Sequence, residues 1–224
     1  MQREITSDGL VQVFGTVTVG ENVTIMGPCI LGMPYGGMDE SDAHLHIPDS
    51  SIIRPFTTIY AGVTLGPRFQ SGQGSVVREH NVLGEDVCLG SNSVLEPHNT
   101  LGSHIRIQAC CSMGTCTIGD WVFIGNVVAI TDTPHPMRCP HLPCPIGGTT
   151  IKDYARIGGG VTLCPGVTVG TNAFVGAGAV VTRDVPDDML AVGNPARPVK
   201  RVDELTCDAG FYEHPFGWEP YLSR

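Results

Sequence analysis

A six-residue repeat runs through most of this sequence. From Ile151 onward an aliphatic residue stands at every sixth position, often followed by Gly, and the fourth residue after it is small or β-branched. A period of six fits neither an α-helix, at 3.6 residues per turn, nor an amphipathic strand, at 2. It indicates short flat strands separated by corners, so that stacked coils bury a continuous aliphatic column. The clearest run is Ile151, Ile157, Leu163, Val169, Val175 and Val181.

The same period appears earlier in the chain. A second run extends from Val77 to Met113, then loses one residue and resumes at Ile118, and shorter runs begin at Val19 and Ile47. A β-sandwich, with strands every 8 to 12 residues, does not match so regular a spacing. The repeats therefore predict an all-β solenoid in which each coil pairs its backbone with the next.

Three segments break the period and are predicted to leave the coil as loops, namely residues 32–46, 71–76 and 131–150. Insertions on a solenoid usually gather on a functional face. After Pro186 the repeat stops, which predicts a turn, a short helix and an aromatic tail that cover the open end. The chain is thus divided into a β-helix domain, 1–186, and a C-terminal segment, 187–224.

Composition excludes several classes of function. A net charge of −9 and a pI near 5.2 argue against nucleic-acid binding as the function of the whole protein. The sequence has no apolar run approaching the roughly 18 residues of a membrane span, and its first residues lack the apolar core of an export signal. The nine cysteines lack the dense spacing of a disulfide scaffold. These features predict reduced thiols in a cytoplasmic protein.

The repeats, together with the stretch VGAGAVVTRDVPDDMLAVGNPARPVKRV, resemble the hexapeptide-repeat acyltransferases over roughly residues 11–202. The middle of the chain, including GSVVREHNVLGEDVCLGSNSVLEPHNTLGSHIRI, is similar to the branch that acetylates amino groups on nucleotide-linked sugars. The resemblance implies a left-handed parallel β-helix and a homotrimer with active sites between neighbouring helices. It also implies acetyl-CoA as co-substrate, lying along a groove that an extended loop walls.

The 131–150 loop contains the first candidate for a general base. His135 lies between two prolines that stiffen the backbone, and its surroundings resemble the loop in which sugar acetyltransferases place a proton-accepting His. The same loop supports a second interpretation, because His135, Cys139, His141 and Cys144 are four ligands of the types that zinc accepts. A zinc cluster is therefore the alternative to catalysis, and thiols packed under a loop are a third interpretation.

A second polar cluster follows Val77 and recurs after Leu95, three sextets later. Three sextets make about one coil, so carboxylates and imidazoles stack on one exposed side of the solenoid. Such a carboxylate could hold a protonated sugar amine or orient an imidazole. The predicted substrate-binding residues are Arg78, Glu79, Asn81, Glu96 and His98, and His80 is the reserve base; solvated corner residues are the alternative.

The end of the repeat region gathers basic residues in an otherwise acidic chain. By resemblance, Arg183 and Arg197 match the family's phosphate-binding positions, and the cluster could anchor the CoA phosphates. The alternative is a solvated end cap. The predicted cofactor-binding residues are Arg183, Arg197, Lys200 and Arg201, with Gly159, Ala177 and Gly178 where the pantetheine arm runs in the family.

The sequence therefore predicts an enzyme that transfers acetyl from acetyl-CoA to the amino group of an amino sugar, and the resemblance favours a nucleotide-linked one. O-acetylation of a sugar or another small alcohol is the second hypothesis, because a hydroxyl needs a base more than an amine does. A zinc-dependent hydratase of the carbonic anhydrase type and a non-catalytic scaffold are the third and fourth. Fold alone does not choose among them.

Overall fold

The computed structural model describes residues 3–6, 10–134, 148–207 and 209–211. Within these ranges the chain forms short strands and two 3-10 turns, Glu40–Asp42 and Val202–Glu204. The strands of the first half are β1 Arg3–Ile5, β2 Val11–Val13, β3 Thr16–Val19, β4 Thr24–Ile25, β5 Cys29–Met33, β6 His44–Ile47, β7 Ile52–Ile53, β8 Thr58–Tyr60, β9 Gln70–Ser71, β10 Val76–Val77, β11 Val82–Leu83, β12 Cys88–Leu89 and β13 Val94–Leu95. Those of the second half are β14 Thr100–Leu101, β15 Arg106–Ile107, β16 Ser112–Met113, β17 Cys116–Ile118, β18 Phe123–Ile124, β19 Ala129–Ile130, β20 Thr149–Ile151, β21 Arg156–Ile157, β22 Thr162–Leu163, β23 Thr168–Val169, β24 Phe174–Val175, β25 Val180–Val181, β26 Met189–Val192 and β27 Arg197–Arg201.

These strands stack into three faces of a prism, which confirms the predicted left-handed parallel β-helix. The nine-stranded sheet holds β2, β5, β8, β10, β13, β16, β19, β22 and β25; the five-stranded sheet holds β11, β14, β17, β20 and β23; the ten-stranded sheet runs from β4 to β27. A smaller sheet, β1, β3 and β6, continues the five-stranded face at the N-terminal end. None of the helices in the described ranges has the length and apolarity needed to cross a membrane.

The register explains why the period is six. Val77 pairs with Leu95, and Leu95 pairs with Met113, so each coil places an equivalent aliphatic residue over the last. These three side chains are fully buried, and each such burial contributes about 1.5–3 kcal/mol. The Gly that often follows the aliphatic residue permits close stacking of coils, since a Cβ on Gly90 would lie 2.3 Å from the carbonyl carbon of Gln108.

The prediction that residues 71–76 leave the coil is wrong. Ser71 stands at the aliphatic position of its sextet, pairs with Leu89, and is fully buried. Its hydroxyl accepts the N–H of Arg54 at 2.9 Å and lies 2.8 Å from the Thr57 hydroxyl, so its polarity is satisfied inside the prism. The preceding Phe69, also fully buried, supplies the missing apolar volume. The large and small positions have been exchanged, which hides the repeat in the sequence without interrupting the coil.

The end of the chain also differs in detail from the prediction. Instead of leaving the solenoid after Pro186, the chain forms β26, which pairs in parallel with β24 and so continues the ten-stranded sheet. It then turns back into β27, antiparallel to β26. The expected short helix is a single 3-10 turn at Val202–Glu204. The boundary at 186/187 therefore does not separate two structural units, and most of the aromatic tail lies outside the described residues.

Candidate active site on the insertion edge

Two of the predicted loops emerge from the same edge of the prism. One joins β5 to β6 across residues 34–43, and the other lies between the end of β19 at Ile130 and the start of β20 at Thr149. Both follow a strand of the nine-stranded sheet and precede the adjoining face. We call this edge, which also carries residues 60–62, 78–80, 96–98, 114–115 and 182–184, the insertion edge. A convex prism acquires concavity only where loops or neighbours rise from it, so this edge is the natural place for a site.

Arg78 ties the two predicted carboxylates together at the centre of this edge. Its Nη1 donates to Glu96 Oε2 at 2.9 Å, and its Nη2 donates to Glu79 Oε1 at 2.9 Å. The guanidinium carbon also lies 5.8 Å from the centre of the Tyr60 ring. Glu79 is only 8% exposed, whereas the Glu96 side chain is 40% exposed and binds Arg78 through one of its two oxygens. Arg78 and the two carboxylates together carry more negative than positive charge, and Glu96 is the carboxylate that solvent can reach.

Three aromatic rings form a row beside this cluster. The His80 and His98 rings stack at 4.8 Å between centroids, inclined by 14°, and the Tyr35 ring meets His80 edge-on at 4.9 Å. Both imidazoles are exposed and occupy left-handed corner positions, with φ of 59° and 68°. Tyr35 fills the place above Gly62, where an added Cβ would lie 3.2 Å from the Tyr35 hydroxyl oxygen. The 34–43 loop thus contributes the first ring of the row.

Asn81, predicted to bind substrate, lies inside the prism. It is fully buried, and its amide nitrogen donates to the carbonyls of Arg78 at 2.7 Å and Glu96 at 3.0 Å. Its amide oxygen accepts the backbone N–H of Asn99 at 2.9 Å, and Asn99 in turn accepts the N–H of Cys116 at 2.7 Å. Asn81 therefore belongs to a buried row of amide side chains that links successive coils. Both ends of its side chain are already bonded to backbone groups.

Asp132 lies two coils beyond His98 on the same edge. Its Oδ2 accepts the backbone N–H of Thr115 at 2.9 Å, and its Oδ1 accepts the Thr133 hydroxyl at 2.9 Å. Partial burial opposes ionisation, but these hydrogen bonds outweigh it and hold the pKa of Asp132 below its usual value. Asp132 is therefore an ionised acceptor at neutral pH, three residues before His135 in the chain.

Several predicted residues lie outside the described ranges. His135, Cys139, His141 and Cys144 all fall within 135–147, so neither the general base nor the zinc cluster has a described geometry. Among the residues that are described, no group of three or more His, Cys, Asp and Glu side chains could hold a metal ion. The seven cysteines in the described ranges are free thiols.

The predicted cofactor residues lie in three different places on the prism. Arg183 is exposed on the insertion edge, after β25, whereas Gly159, Ala177 and Gly178 lie on the edge between the ten-stranded and nine-stranded sheets. Arg197, Lys200 and Arg201 lie on β27. Arg201 is partly neutralised, since its Nη2 lies 3.1 Å from Asp203 Oδ2 and 3.8 Å from Asp188 Oδ2. The nine-stranded sheet separates Arg183 from the glycine-rich corners within one protomer.

Sequence reasoning missed Tyr35, Tyr60 and Asp132. Tyr60 directly follows the aliphatic Ile59, at the position that Arg78 and Glu96 occupy one and two coils later, so the repeat itself could have located it. Asp132 opens a segment already predicted to leave the coil. No periodic signal identifies Tyr35, because its place in the ring row depends on how the 34–43 loop folds back.

An apolar groove of about 540 Å³ lies toward the N-terminal end of the prism. It is lined by Leu10, Val11, Gln12, Pro28, Cys29, Ile30, Phe56, Thr57 and Thr58. This lining has no carboxylate, imidazole or basic side chain among the described residues, so the groove offers no group that could accept a proton or pair with phosphate. The chemistry of the described residues therefore favours the insertion edge.

Comparison with known proteins supports the resemblance read from the sequence. Residues 148–183 match the family described as bacterial transferase hexapeptide (six repeats). A Schizosaccharomyces pombe protein whose name assigns it to the acetyltransferases is 40% identical over 90 residues, which are 39% of this chain and 44% of that protein. The galactoside O-acetyltransferase of Escherichia coli is 36% identical over 96 residues, 40% of this chain and 46% of that enzyme. The matches thus span less than half the length of these curated relatives.

A solved structure agrees over a longer stretch. LpxA, a UDP-N-acetylglucosamine acyltransferase from Bacteroides fragilis, superposes with a TM-score of 0.70, covering 88% of this chain and 74% of that chain at 17% identity. At that identity the likeness concerns the fold. The resemblance to the hexapeptide-repeat acyltransferases is confirmed, in sequence over the last repeats and in architecture over most of the chain.

Proposed function

We propose that this hexapeptide-repeat protein transfers an acetyl group from acetyl-CoA to a sugar, and that it does so on the insertion edge. The observation that carries the proposal is the convergence at that edge. The 34–43 loop, residues 131–134, two exposed imidazoles and the half-exposed Glu96 carboxylate all lie on neighbouring coils. Of the edges described, this one combines loops that can enclose a substrate with groups that can move a proton.

The reaction needs a nucleophile, a base and a thioester held close together. The acceptor oxygen or nitrogen attacks the thioester carbonyl while an imidazole takes its proton; the C–S bond then breaks, and the proton passes to the departing thiolate to give CoA. Positioning supplies much of the rate, and a well-placed base adds about 10² to 10⁴. His135 is the first candidate for that base and His80 the second.

The acceptor atom is an amine or a hydroxyl. The sequence motif of the middle coils favours an amino sugar, and the outward Glu96 could pair with a protonated amine. The match to a galactoside O-acetyltransferase and the exposed imidazoles favour a hydroxyl, because a hydroxyl must be deprotonated while an amine near its pKa need not be. We put the hydroxyl acceptor first for this chain and keep the nucleotide-linked amino sugar as the alternative.

Acetyl-CoA would lie along the prism with its phosphates near Arg183 and the β27 basic residues. In a homotrimer, the insertion edge of one protomer could face the glycine-rich corners of its neighbour, and the two groups of predicted cofactor residues would then meet. A homotrimer whose thermal midpoint rises with CoA is the expected result, since a ligand that binds only the folded state stabilises it. A monomer in light scattering, together with a thermal midpoint that CoA does not change, would contradict the intersubunit site.

The direct test is a thiol-release assay with acetyl-CoA against a panel of simple sugars, nucleotide-linked amino sugars and small alcohols. We expect sugar-dependent release of CoA and an acetylated product whose mass increases by one acetyl group. Release with simple sugars and none with amino sugars identifies O-transfer, and the reverse pattern identifies N-transfer. Release that does not depend on any acceptor in the panel would refute the proposed activity.

A further inference from the structure

One coil on the insertion edge is shorter than its neighbours. Leu101 pairs with Ile118, 17 residues away, whereas Leu83 pairs with Leu101 across 18. The missing residue falls between Met113 and Cys116, where only Gly114 and Thr115 form the turn. The two preceding coils place His80 and His98 at the corresponding left-handed corner position. The ring row therefore stops because the next coil has no residue to continue it.

The shortened turn lies between two groups of different chemistry, the His98 ring and the Asp132 carboxylate. His80 stacks on one face of the His98 ring, so the opposite face is directed toward the short turn. On the far side Asp132 reaches over Gly114, where an added Cβ would lie 3.1 Å from the Asp132 carboxyl carbon. Coils are stacked about 4.8 Å apart, so the backbones that carry His98 and Asp132 are separated by roughly 9.6 Å.

Thr115 lies on the short turn between these two groups and is partly exposed. Its backbone N–H holds the Asp132 carboxylate, and its hydroxyl lies 3.4 Å from the Pro97 carbonyl oxygen. The two hydrogen bonds at 2.9 Å occupy two of the roughly four acceptor positions of the Asp132 carboxylate. An aromatic face opposite a carboxylate suits a saturated ring that carries hydroxyls, since the ring's C–H face packs on the imidazole while its hydroxyls donate to the carboxylate.

Resting on the proposed function, we infer that the short turn at Gly114–Thr115 is the floor of the acceptor subsite and that its missing residue admits a pyranose ring between His98 and Asp132. Thr115 and Asp132 are then specificity-determining residues, which set the size of the ring and the hydroxyls that are recognised. The deletion supplies within one protomer a concavity that a regular prism lacks.

The test measures binding of methyl galactoside by ligand-observed NMR in the full-length protein, separately from turnover. Thr115→Leu fills the space between His98 and Asp132 without changing the turn length, and inserting one Asn between Gly114 and Thr115 restores the 18-residue coil. Thr117→Leu is the matched control, because Thr117 is exposed on the five-stranded sheet two residues along. We expect Thr115→Leu to weaken methyl galactoside binding at least about tenfold, and Thr117→Leu to leave it within about twofold.

CoA binding and the thermal midpoint are measured on the same variants. We expect Thr115→Leu to keep both, because the short turn lies away from Arg183 and outside the core. Wild-type protein that does not bind methyl galactoside, or Thr115→Leu that binds it like Thr117→Leu, would overturn the inference. Binding that is lost in Thr115→Leu, in a wild-type protein that releases no thiol with any sugar, would instead refute the proposed activity and leave the subsite standing.

Discussion

Two edges of the prism carry imidazoles in the same backbone setting, and they differ in what the imidazoles contact. On the insertion edge, His80 and His98 stack on each other and are exposed. On the edge between the five-stranded and ten-stranded sheets, which we call the ladder edge, His104 stacks on Trp121 at 4.0 Å. All four residues have left-handed φ between 59° and 68°.

The ladder edge uses its imidazole in a closed network. His104 Nδ1 lies 3.1 Å from Asp86 Oδ2, and its Nε2 lies 3.6 Å from Glu85 Oε1. Arg106 and Arg68 pair with the same two carboxylates, at 2.8 Å and 3.2 Å. Both nitrogens of His104 therefore face carboxylates that have other partners. A corner imidazole alone therefore does not mark a site, because its use depends on the neighbouring loops and on the groups that its two nitrogens face.

The largest expected effect belongs to the loop of the insertion edge. We predict that His135→Ala lowers kcat by about 10² or more with little change in the KM for acetyl-CoA, because a general base acts in the transition state. Steady-state kinetics on the best acceptor of the panel check this. A loss below about tenfold would favour amine transfer with His80, or no base, as the mechanism.

Zinc content of the same variant separates the two interpretations of this loop. If wild type carries stoichiometric zinc that is lost, together with fold stability, in both His135→Ala and Cys139→Ser, then His135 is a ligand. The catalytic assignment would then move to the cluster at Glu79 and His80. Zinc-free wild type with full activity is the result expected from the catalytic interpretation.

The next effect concerns two predicted cofactor residues near the C-terminal end of the prism. Arg183→Ala or Arg197→Ala should raise the KM for acetyl-CoA about tenfold and change kcat little, since a phosphate contact binds the cofactor equally in the ground and transition states. The control is a CoA derivative that lacks the 3′-phosphate. If both cofactors respond identically to both substitutions, neither arginine contacts that phosphate.

On the ladder edge the expected effect falls on stability. His104→Ala removes a stacked ring and two carboxylate contacts, and we expect it to lower the free energy of unfolding by about 1–2 kcal/mol. Urea denaturation followed by circular dichroism measures this. Unchanged stability in His104→Ala would mean that the His104 network does not stabilise the fold. The proposed difference in role between the two edges would then lose its support.

The smallest effect is the response to acid. Burial disfavours ionisation of Asp86, but hydrogen bonds from Arg106 and His104 outweigh it and lower the pKa of Asp86 below its usual value. The resulting stabilisation is complete above the unfolded-state pKa of about 3.9 and is lost as the pH falls through the lower folded-state value. Unfolding free energy should therefore decline below about pH 4, and Asp86→Asn should reduce that slope. An equal slope in the variant would assign the acid response to other carboxylates.

The fold could be predicted from the sequence because the buried aliphatic residues, such as Ile151 and Leu163, recur at intervals of six. The prediction failed at Ser71, because a small buried residue stands where the repeat normally has a large one, and Phe69 stands where the repeat normally has a small one. The sequence placed Glu79 and His80 correctly beside Glu96 and His98, since they lie one coil apart. It could not separate buried Asn81 from its exposed neighbours, because the direction of a corner side chain depends on the turn geometry.

The central claim is that transfer occurs on the insertion edge, and two matched substitutions test it most directly. His98→Ala and His104→Ala each remove one stacked imidazole from a left-handed corner. We predict that kcat/KM for the sugar falls at least about tenfold in His98→Ala and stays within about twofold in His104→Ala at a temperature where both are folded. Equal values in the two variants, or a larger loss in His104→Ala, would contradict the claim.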